Sequence, residues 1–411
     1  MSKIKAYYNL PPEVKFCSKC VNSNQYPASI PEFTHQRERK NATYVKFDKD
    51  DVCEGCLACE QKTSGIDWEK REESLLKLLD KYRRKDGRYD CVVPGSGGKD
   101  SAMTLHLLKY KYGMNPLFVT WSPIIYTEYG LKNFNNLIDI GGFDNISFNR
   151  NGKVLKTLTR LSIENLLHPF QTFIIGQKNV APKVALQYDI PLIFYGENQA
   201  EYGNPISDND TSLMDKSFYT YKNIDDLFLA GVSVPELKEK YNLDYKDLMT
   251  YLPPTPNDYK NGPKIAFHYL GYYVKWIPQE AYYYAVENTG FKARPYRSQG
   301  TYSKYSSIDD RIDDLHYYTT FIKFGIGRAT YDACQEIRNN HITRDEGKAL
   351  VGRYDGEFPD KYFDEIMEYL GMEADNFHDL CNEFRSPHLW KKVNGEWKLR
   401  HNVNLNGAED N

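Results

Sequence analysis

Short apolar runs alternate with longer amphipathic segments along most of the chain. Apolar runs of strand length cover residues 89–94, 115–121 and 190–195. Such runs indicate strands that are buried on both faces of a sheet. Residues 67–85 and 102–112 carry apolar positions at helical spacing instead. This alternation predicts an α/β fold, a parallel sheet with helices on both faces.

The next stretch predicts a second unit of the same kind and an insertion. Residues 170–188 read as a helix that Pro182 interrupts or restarts, because proline has no amide hydrogen to donate. Residues 207–263 change to short helices, which indicates an insertion in the fold. A further strand is predicted at 269–276, and a helix follows it over 279–287.

The rest of the chain is predicted to be mostly helical. A helix that begins near Ser306 would carry Asp309, Asp310 and Asp314 on a solvated face opposite its apolar positions. Asn394-Gly395 predicts the turn of a terminal β-hairpin. The predicted divisions are an N-terminal module (1–62), an α/β domain (63–299, with the insertion at 207–263) and a helical C-terminal region (300–411).

The composition narrows the class of protein. The 411 residues carry 53 Lys and Arg against 56 Asp and Glu, a formal net charge of −3. Proteins held to nucleic acid by bulk electrostatics carry a basic face, so this balance argues against a nucleic-acid partner. No apolar run reaches about 18 residues, which argues against a membrane partner, and the first residues lack the apolar core of a secretory signal. We therefore expect a cytoplasmic protein.

Five of the eight cysteines lie within the first 59 residues. Cys17 and Cys20 form one Cys-x-x-Cys pair, and Cys53 and Cys56 form another, with 32 residues between the pairs. In a reducing compartment, paired knuckles indicate four thiolates around a tetrahedral Zn²⁺. We therefore predict a zinc ribbon with a structural role, in which Cys59 is not a ligand. The alternatives are an iron–sulfur run that includes Cys59, or two redox pairs.

A glycine-rich loop follows the first predicted strand. It reads Gly95-Ser-Gly-Gly-Lys-Asp-Ser101 and leads into the helix over 102–112. Glycines in this context let backbone N–H groups close on an anion at a helix N-terminus. The loop does not match the Walker A motif, because Asp100 follows Lys99 at the position where that motif requires Ser or Thr. The dinucleotide fingerprint fails because Asp100 occupies its last glycine position.

The segment Ser96–Ser101, SGGKDS, resembles the signature of the PP-loop ATP pyrophosphatases residue for residue. The resemblance implies that ATP is cleaved to AMP and pyrophosphate. Lys99 offers a cation for the developing negative charge, and Asp100 is placed to reach Mg²⁺. The predicted nucleotide-binding set is Ser96, Gly97, Gly98, Lys99, Asp100, Ser101, Gly176 and Gly196, together with Thr120 and Trp121, where the resemblance implies contact with the adenosine.

Polar residues also follow the strand predicted at 190–195, in the sequence Gly196-Glu197-Asn198. Open α/β sheets bind ligands at the carboxyl ends of their strands, the edge that also carries the glycine-rich loop. Glu197 and Asn198 are therefore predicted as catalytic residues together with Lys99 and Asp100. The alternative is an Asx-type turn without a function.

Several further segments make the resemblance more specific. Their order is similar to that in the N-acetyl sugar amidotransferases of the WbpG/PseA type. Besides the cysteine pairs and the loop, the matching stretches are IDW (66–68), YGEN (195–198), LGYYVKW (270–276), IDDRIDDLHYY (308–318), KFGIGRAT (323–330) and RYDGEFP (353–359).

The resemblance implies a reaction on a bacterial surface sugar, the conversion of an acetamido group to an acetamidino group. Adenylation of the amide oxygen would give an O-adenylyl imidate, which ammonia attacks with release of AMP. The sugar would be a nonulosonic or diacetamido uronic acid, free or nucleotide-linked. Cys91, Cys334 and Cys381 do not stand in a nucleophile setting. The resemblance therefore implies ammonia-supplying partners, similar to the glutaminase and cyclase-like subunits of imidazole glycerol phosphate synthase.

Cationic residues in these segments are candidates for binding the sugar, because charged sugars need cationic contacts. The predicted substrate-binding set is Lys275, Tyr302, His316, Lys323 and Arg328. The alternative for each charged member is a structural ion pair.

Two other functions are weighed against this one. A PP-loop enzyme that modifies tRNA, by thiolation or lysidine formation, would need a positive groove, and the net charge of −3 counts against it. A zinc-ribbon interaction protein with a degenerate loop would not need the intact SGGKDS motif.

Overall fold

The computed structural model describes residues 4–40, 42–197, 207 and 210–404. The strands in this part of the chain are β1 (Cys91–Pro94), β2 (Pro116–Trp121), β3 (Asn145–Phe148), β4 (Leu192–Tyr195), β5 (Phe228–Leu229), β6 (Val232–Ser233), β7 (Ala266–Tyr269), β8 (Trp390–Val393) and β9 (Glu396–Leu399).

The helices precede, separate and follow these strands. They are α1 (Glu54–Glu60), α2 (Trp68–Tyr82), α3 (Lys99–His106), α4 (Glu128–Asp139), α5 (Gly152–Leu166), α6 (Gln171–Gln187), α7 (Val234–Tyr241), α8 (Tyr245–Leu248), α9 (Pro256–Asn261), α10 (Pro278–Thr289), α11 (Asp313–Phe324), α12 (Arg328–Arg338), α13 (Arg344–Tyr354), α14 (Asp360–Leu370) and α15 (Ala374–Phe384).

Five parallel strands form the central sheet in the order β3-β2-β1-β4-β7. The chain moves outward from β1 through β2 to β3, and then returns to the other side of β1 with β4. In open α/β sheets the crevice at such a reversal, outside the carboxyl ends of the strands, is where ligands bind. The glycine-rich loop after β1 and the polar segment after β4 therefore flank one crevice.

Side chains of the central strands alternate between two cores. Val92 and Ile193 face the core that contains α5 and α6, whereas Val93 and Phe118 face the core that contains α2, α3 and α10. This alternation follows from the two-residue period of a strand. The prediction of a parallel sheet covered by helices on both faces is confirmed.

Helix α6 runs without a break through Pro182, contrary to the interruption expected there. Proline cannot donate a hydrogen bond to the carbonyl four residues earlier, which belongs to Lys178. The hydroxyl of Tyr195, at the end of β4, donates to that carbonyl at 3.1 Å. A side chain from the sheet thus replaces the missing backbone bond, and the helix continues.

The strand predicted at 269–276 is wrong in its extent. β7 ends at Tyr269, and a 3-10 turn covers Leu270–Tyr272. Leu270, Tyr273 and Trp276 are buried at a spacing of three, which is the period of a turn rather than of a strand. In the insertion, the described residues 210–263 form the predicted short helices and also the small hairpin β5–β6.

The C-terminal region is helical and ends in the predicted hairpin. Asn394 and Gly395 have φ values of 53° and 86°, as a type I′ turn requires. The helix expected from Ser306 begins only at Asp313. The segment before it runs beside the connection from β2 to α4, where the N–H of Thr127 donates to the Asp309 carbonyl at 3.0 Å.

Candidate active site

The glycine-rich loop forms the turn from β1 into α3. Gly97 has a φ of +94°, and a Cβ at this position would lie 2.7 Å from the backbone of Phe134 in α4. Both the backbone conformation and the close approach require glycine. Gly98 is the N-cap of α3, so the first free N–H groups of that helix lie at the carboxyl edge of the sheet.

Lys99 and Asp100 begin α3 and form an ion pair. The Lys99 side chain is almost buried, and its Nζ lies 2.6 Å from Oδ2 of Asp100. The other oxygen of Asp100, Oδ1, is buried and has no hydrogen-bond partner among the described residues. An unpaired carboxylate oxygen beside a phosphate loop fits a hard cation such as Mg²⁺, which takes oxygen ligands.

Ser96 and Ser101 lie at the two ends of the motif. Ser96 lines both cavities described below. Ser101 faces the smaller one, and its hydroxyl donates to the Gly98 carbonyl at 3.0 Å. Its hydroxyl hydrogen therefore stabilises the turn itself.

Glu197 follows β4 and faces the loop. Burial, and then the negative charge of Asp100, raise the pKa of the Glu197 carboxyl above its ordinary value. Gly196 is tightly packed beside it, because a Cβ there would lie 2.7 Å from Oγ1 of Thr104. Asn198, predicted with Glu197, lies outside the described residues.

A cavity of about 430 Å³ opens at this edge of the sheet. The loop from Ser96 to Asp100 and Glu197 form one wall. The opposite wall comes from the C-terminal region and includes Asp309, Asp313, His316, Tyr317, Arg328 and Asp332. The loop and the C-terminal region thus enclose a single volume in which two ligands can meet.

A second cavity, of about 220 Å³, lies over the ends of β1, β4 and β7. It shares Ser96, Gly98, Asp100 and Glu197 with the larger cavity. Lys178 adds a cation to its lining. The two cavities therefore meet at the loop, with Asp100 and Glu197 at their junction.

Arg328 is held in place on the far wall of the larger cavity. Its Nε donates to Asp332 at 2.9 Å, and its Nη1 donates to the Tyr317 hydroxyl at 2.6 Å and to Ser307 at 3.2 Å. Burial opposes the charge, but Asp332 and Tyr317 raise the pKa of Arg328, so the guanidinium stays protonated. An oriented cation of this kind suits a carboxylate or phosphate ligand.

The solvated face predicted for Asp309, Asp310 and Asp314 is wrong, because Asp310 and Asp314 are buried and Asp309 is half-buried. Asp310 is 4% exposed and Asp314 6%. The Asp310 carboxylate accepts hydrogen bonds from the backbone N–H groups of Ile124, Ile125 and Ile312. Through these hydrogen bonds, the buried carboxylate connects the segment after β2 to the start of α11.

Burial raises the pKa of Asp310 to about 7. Burial also raises the pKa of Asp313 well above its ordinary value, and the negative charges of Asp309 and Asp310 add to this shift. Asp309 and Asp313 line the larger cavity, and sequence reasoning missed both. The available signal was four acids in the six residues from 309 to 314. Helical periodicity alone cannot separate such a cavity wall from a solvated helix face.

The predicted substrate-binding residues do not all lie at one site. His316 and Arg328 line the larger cavity. Lys275 is exposed, and Lys323 is buried with its Nζ donating to the Leu166 carbonyl at 2.6 Å. The Tyr302 hydroxyl donates to Glu336 at 3.1 Å, and its ring packs against the core around the paired cysteines. Neither cavity includes Lys275, Tyr302 or Lys323 in its lining.

Thr120, Trp121 and Gly176, predicted to bind the nucleotide, are also absent from the lining of both cavities. A Cβ at Gly176 would lie 2.1 Å from the indole of Trp121, so this glycine makes room for the ring. The Thr120 hydroxyl accepts a hydrogen bond from Asn145 at 2.9 Å. In this structure the three residues serve the packing of α6 and β3 on β2.

The four paired cysteines come together in the N-terminal module. Sγ of Cys17 lies 3.8 Å from Sγ of Cys56, and Sγ of Cys20 lies 3.6 Å from Sγ of Cys53. All four are buried, and backbone N–H groups point at the Cys17 sulfur. Four converging sulfurs with N–H donors around them fit a structural Zn²⁺, which a closed set of four thiolates holds.

Cys59 lies outside this group of four. It belongs to α1, and its thiol donates to the Arg338 carbonyl at 3.1 Å. Arg338, from α12, also donates to Sγ of Cys53 at 3.4 Å. The C-terminal region thus contacts the cysteine cluster directly.

The strand, the SGGKDS loop and the helix after it form the arrangement that the resemblance to the PP-loop ATP pyrophosphatases implies. Residues 299–404 match the family model described as "LPS biosynthesis protein WbpG-like, C-terminal domain". The predicted resemblance to the WbpG type is confirmed over these residues. The matched domain supplies the far wall of the larger cavity, from Asp309 to His341.

Two other proteins are similar to parts of the chain. An uncharacterized protein of Methanocaldococcus jannaschii is 28% identical over 103 residues, which is 25% of this chain. The match spans about a third (31%) of the length of that relative. The solved structure of NMN synthetase from Francisella tularensis covers 56% of this chain and 89% of its own, with 14% identity and a TM-score of 0.25. Among the described residues, no helix is both long and apolar enough to span a membrane.

Proposed function

We propose that the protein is an ATP-dependent amidotransferase that converts an acetamido group of a bacterial surface sugar to an acetamidino group. The sugar is a nonulosonic or diacetamido uronic acid, free or nucleotide-linked, and the other products are AMP and pyrophosphate. The observation that supports this proposal is the shared cavity, because the PP-loop forms one of its walls and the WbpG-like domain the other.

The first half of the reaction activates the amide. The carbonyl oxygen of the acetamido group attacks the α-phosphorus of ATP, the α–β bond breaks, and pyrophosphate leaves. The N–H groups at the start of α3 and the Lys99 ammonium stabilise the charge that develops on the leaving group. Asp100 Oδ1 would hold Mg²⁺, which supplies further positive charge at the phosphates.

The amide must lose its N–H proton as the imidate forms. Glu197 stands at the junction of the two cavities, and its raised pKa makes it a stronger base than an ordinary carboxylate. We propose that Glu197 accepts this proton, and that Asn198, the next residue in the chain, orients the Glu197 carboxylate.

The second half replaces oxygen by nitrogen. Ammonia attacks the imidate carbon, the bond from that carbon to oxygen breaks, and AMP leaves as an anion. The proton that ammonia must lose moves to the other nitrogen, so the product is an amidinium. The cavity contributes mainly by holding the imidate and ammonia together away from water.

Arg328 is the proposed anchor for an acidic group of the sugar, and His316 is a second contact on the same wall. Asp332, Tyr317 and Ser307 already orient the guanidinium. A ligand therefore meets a cation whose rotamer is set before binding, which lowers the entropic cost of the contact.

Ammonia is proposed to come from separate glutaminase and cyclase-like partners. A glutaminase nucleophile must be a thiolate at neutral pH. Burial raises the pKa of Cys91 above its ordinary value and raises that of Cys381 to about 12. Neither thiol is suited to such a role.

Modification of tRNA is the alternative reaction for a PP-loop enzyme. Asp309, Asp313 and Asp332 line the wall that an acceptor would meet. These acids lie beside Arg328, so the wall lacks the continuous positive surface that the phosphodiester backbone of tRNA requires. The charge of this wall therefore does not favour tRNA as the acceptor.

The proposal is tested with ATP, ammonium chloride and a panel of N-acetylated nonulosonates and UDP-diacetamido uronates. We expect sugar-dependent formation of AMP, and a product mass in which NH replaces oxygen. Asp100→Ala should lower turnover by at least about 100-fold with an unchanged circular dichroism spectrum. Asp139→Asn, at an exposed position of α4, is the matched control and should keep full turnover. Formation of AMP that depends on tRNA and not on any sugar of the panel would overturn the proposal.

A further inference from the structure

A second group of metal-binding side chains lies behind the far wall of the larger cavity. Glu32, His35 and His168 each direct one ligand atom into a space in which all three atoms lie within 4.8 Å of one another. Glu32 and His35 belong to the excursion between the two cysteine pairs, and His168 belongs to the connection from α5 to α6. These three residues take no part in the proposed reaction.

The geometry points to a divalent metal ion held by these three residues. Oε2 of Glu32 lies 2.8 Å from Nδ1 of His35 and 3.6 Å from Nε2 of His168. Donor atoms bound tetrahedrally at about 2.0–2.1 Å from an ion stand roughly 3.4 Å apart, and the two distances bracket that value. Oε2 is buried, and neither imidazole offers it a hydrogen bond of acceptable geometry. The third pair of ligand atoms, on His35 and His168, also lies within 4.8 Å.

Lys323 and Arg39 interact electrostatically with Glu32 but form no direct ion pair with it. Lys323 is close by, but its Nζ donates to the Leu166 carbonyl at 2.6 Å. The guanidinium of Arg39 lies over the ring of Phe324, 5.5 Å from its centroid. Among the described residues, Glu32 forms ion-pair contacts with His35 and His168 alone. The carboxylate therefore has no direct Lys or Arg contact among the described residues that would compete with a metal ion.

The ligand set defines the class of metal. Two imidazoles and one carboxylate suit Zn²⁺ and other divalent first-row metals, and leave at least one position for water. This chemistry differs from that of the four thiolates, which form a separate and closed site. The chain would then carry two metal ions with different ligands.

The position of the site suggests what the second ion does. The ion would join the segment between the two cysteine pairs to the α/β domain, just before the start of α6. The ring of His168 stacks on that of His316, with centroids 5.0 Å apart and planes inclined by 21°. Because His316 lines the larger cavity, the ion would also fix the position of a residue in the cavity wall.

The test measures metal content and does not depend on turnover or on the proposed reaction. Full-length protein is purified from zinc-supplemented medium, desalted, and analysed by inductively coupled plasma mass spectrometry. We expect two zinc ions per chain in the wild type and one in Glu32→Gln, which keeps the size of the side chain. His168→Ala should also retain one, and His106→Ala, a histidine outside the cluster that bonds Tyr284, should retain two.

Cobalt substitution gives a second readout that separates the two sites. The thiolate-to-cobalt charge-transfer band should be unchanged in Glu32→Gln, while the d–d absorption of a nitrogen and oxygen site is lost. One zinc ion in the wild type, or two in both Glu32→Gln and His168→Ala, would overturn the inference. In that case the three residues form a buried cluster without an ion.

Discussion

Asp310 shows how burial changes the properties of a single carboxyl group. It accepts three backbone hydrogen bonds and is almost completely buried, and burial raises its pKa to about 7. The hydrogen bonds favour the charged form, while burial and the nearby Asp309 favour the neutral form. The second effect is larger, so Asp310 holds a proton at a pH where an exposed aspartate does not.

This shift predicts a pH dependence of stability. The folded state binds the Asp310 proton up to about pH 7, whereas the unfolded chain releases it near pH 4. The contribution of Asp310 to the free energy of unfolding is therefore present below pH 4, falls as the pH rises to about 7, and is lost above it. Urea unfolding between pH 5 and pH 7 should show a fall of up to about 1.4 kcal/mol per pH unit from this group.

Asp310→Asn should remove that part of the slope. Asp139→Asn, which changes an exposed aspartate in the same way, should keep the wild-type slope. An unchanged slope in Asp310→Asn would show that Asp310 is ionised in the folded protein at these pH values.

At the scale of elements, α6 is specified by contacts with the sheet rather than by helix propensity. Pro182 would end an isolated helix, but the hydroxyl of Tyr195 binds the carbonyl that this proline leaves free. On the same helix, Gly176 receives the indole of Trp121. Sequence reasoning expected Pro182 to interrupt or restart the helix and placed Gly176 in the nucleotide-binding set, because the partners of both residues lie on strands outside the helix.

Gly176→Ala tests whether this glycine serves packing. A Cβ 2.1 Å from the Trp121 ring overfills the contact between α6 and β2, so the free energy of unfolding should fall by about 1–3 kcal/mol. The affinity for ATP, measured by calorimetry below the unfolding transition, should stay within about twofold, since a change below 0.5 kcal/mol is expected.

Gly152→Ala is the matched control, because no atom lies within 4 Å of a Cβ at that helical position and its stability should not fall. Weaker ATP binding by Gly176→Ala without a loss of stability would instead support the contact with the nucleotide that the sequence predicted.

At the scale of the whole molecule, the cysteine cluster and the C-terminal region support each other. Arg338 donates to Sγ of Cys53, and Arg344 donates to the carbonyls of Cys17 and Cys20 at 3.0 Å. The same C-terminal region forms the far wall of the larger cavity. The N-terminal module therefore contacts α12 and α13, which belong to the same region as the cavity wall, although it does not line the cavity.

The zinc ion predicted at the four-cysteine site should stabilise the whole chain. Cys53→Ser is expected to lose the ion at the four-cysteine site and to lower the yield of soluble protein, because a structural zinc contributes directly to folding. Limited proteolysis should cleave the C-terminal region faster than in the wild type. Cys59→Ser is the control, because Cys59 lies outside the group of four and serine can keep the bond to Arg338. Wild-type yield and protease resistance in Cys53→Ser would contradict a structural role for the cluster.

The amino-acid sequence by itself determined the local features whose signal is contained in a short window. These are the alternation of strands and helices, the SGGKDS loop at the start of a helix, the two cysteine pairs and the Asn-Gly turn. Each follows from spacing, from the conformational freedom of glycine or from ligand chemistry, and needs no distant partner. Its resemblance to the WbpG type also came from short stretches, and the match over residues 299–404 agrees with it.

Tertiary structure decided which of the polar residues face the cavity. Arg328 and His316 line it, whereas Lys323 is buried behind it and Lys275 faces solvent. Tertiary structure also buried Asp310, Asp313 and Asp314 and brought Glu32 and His35 to His168. The physical reason is that a side chain's burial, pKa and partners depend on elements that are far apart in the chain and meet only when the chain folds.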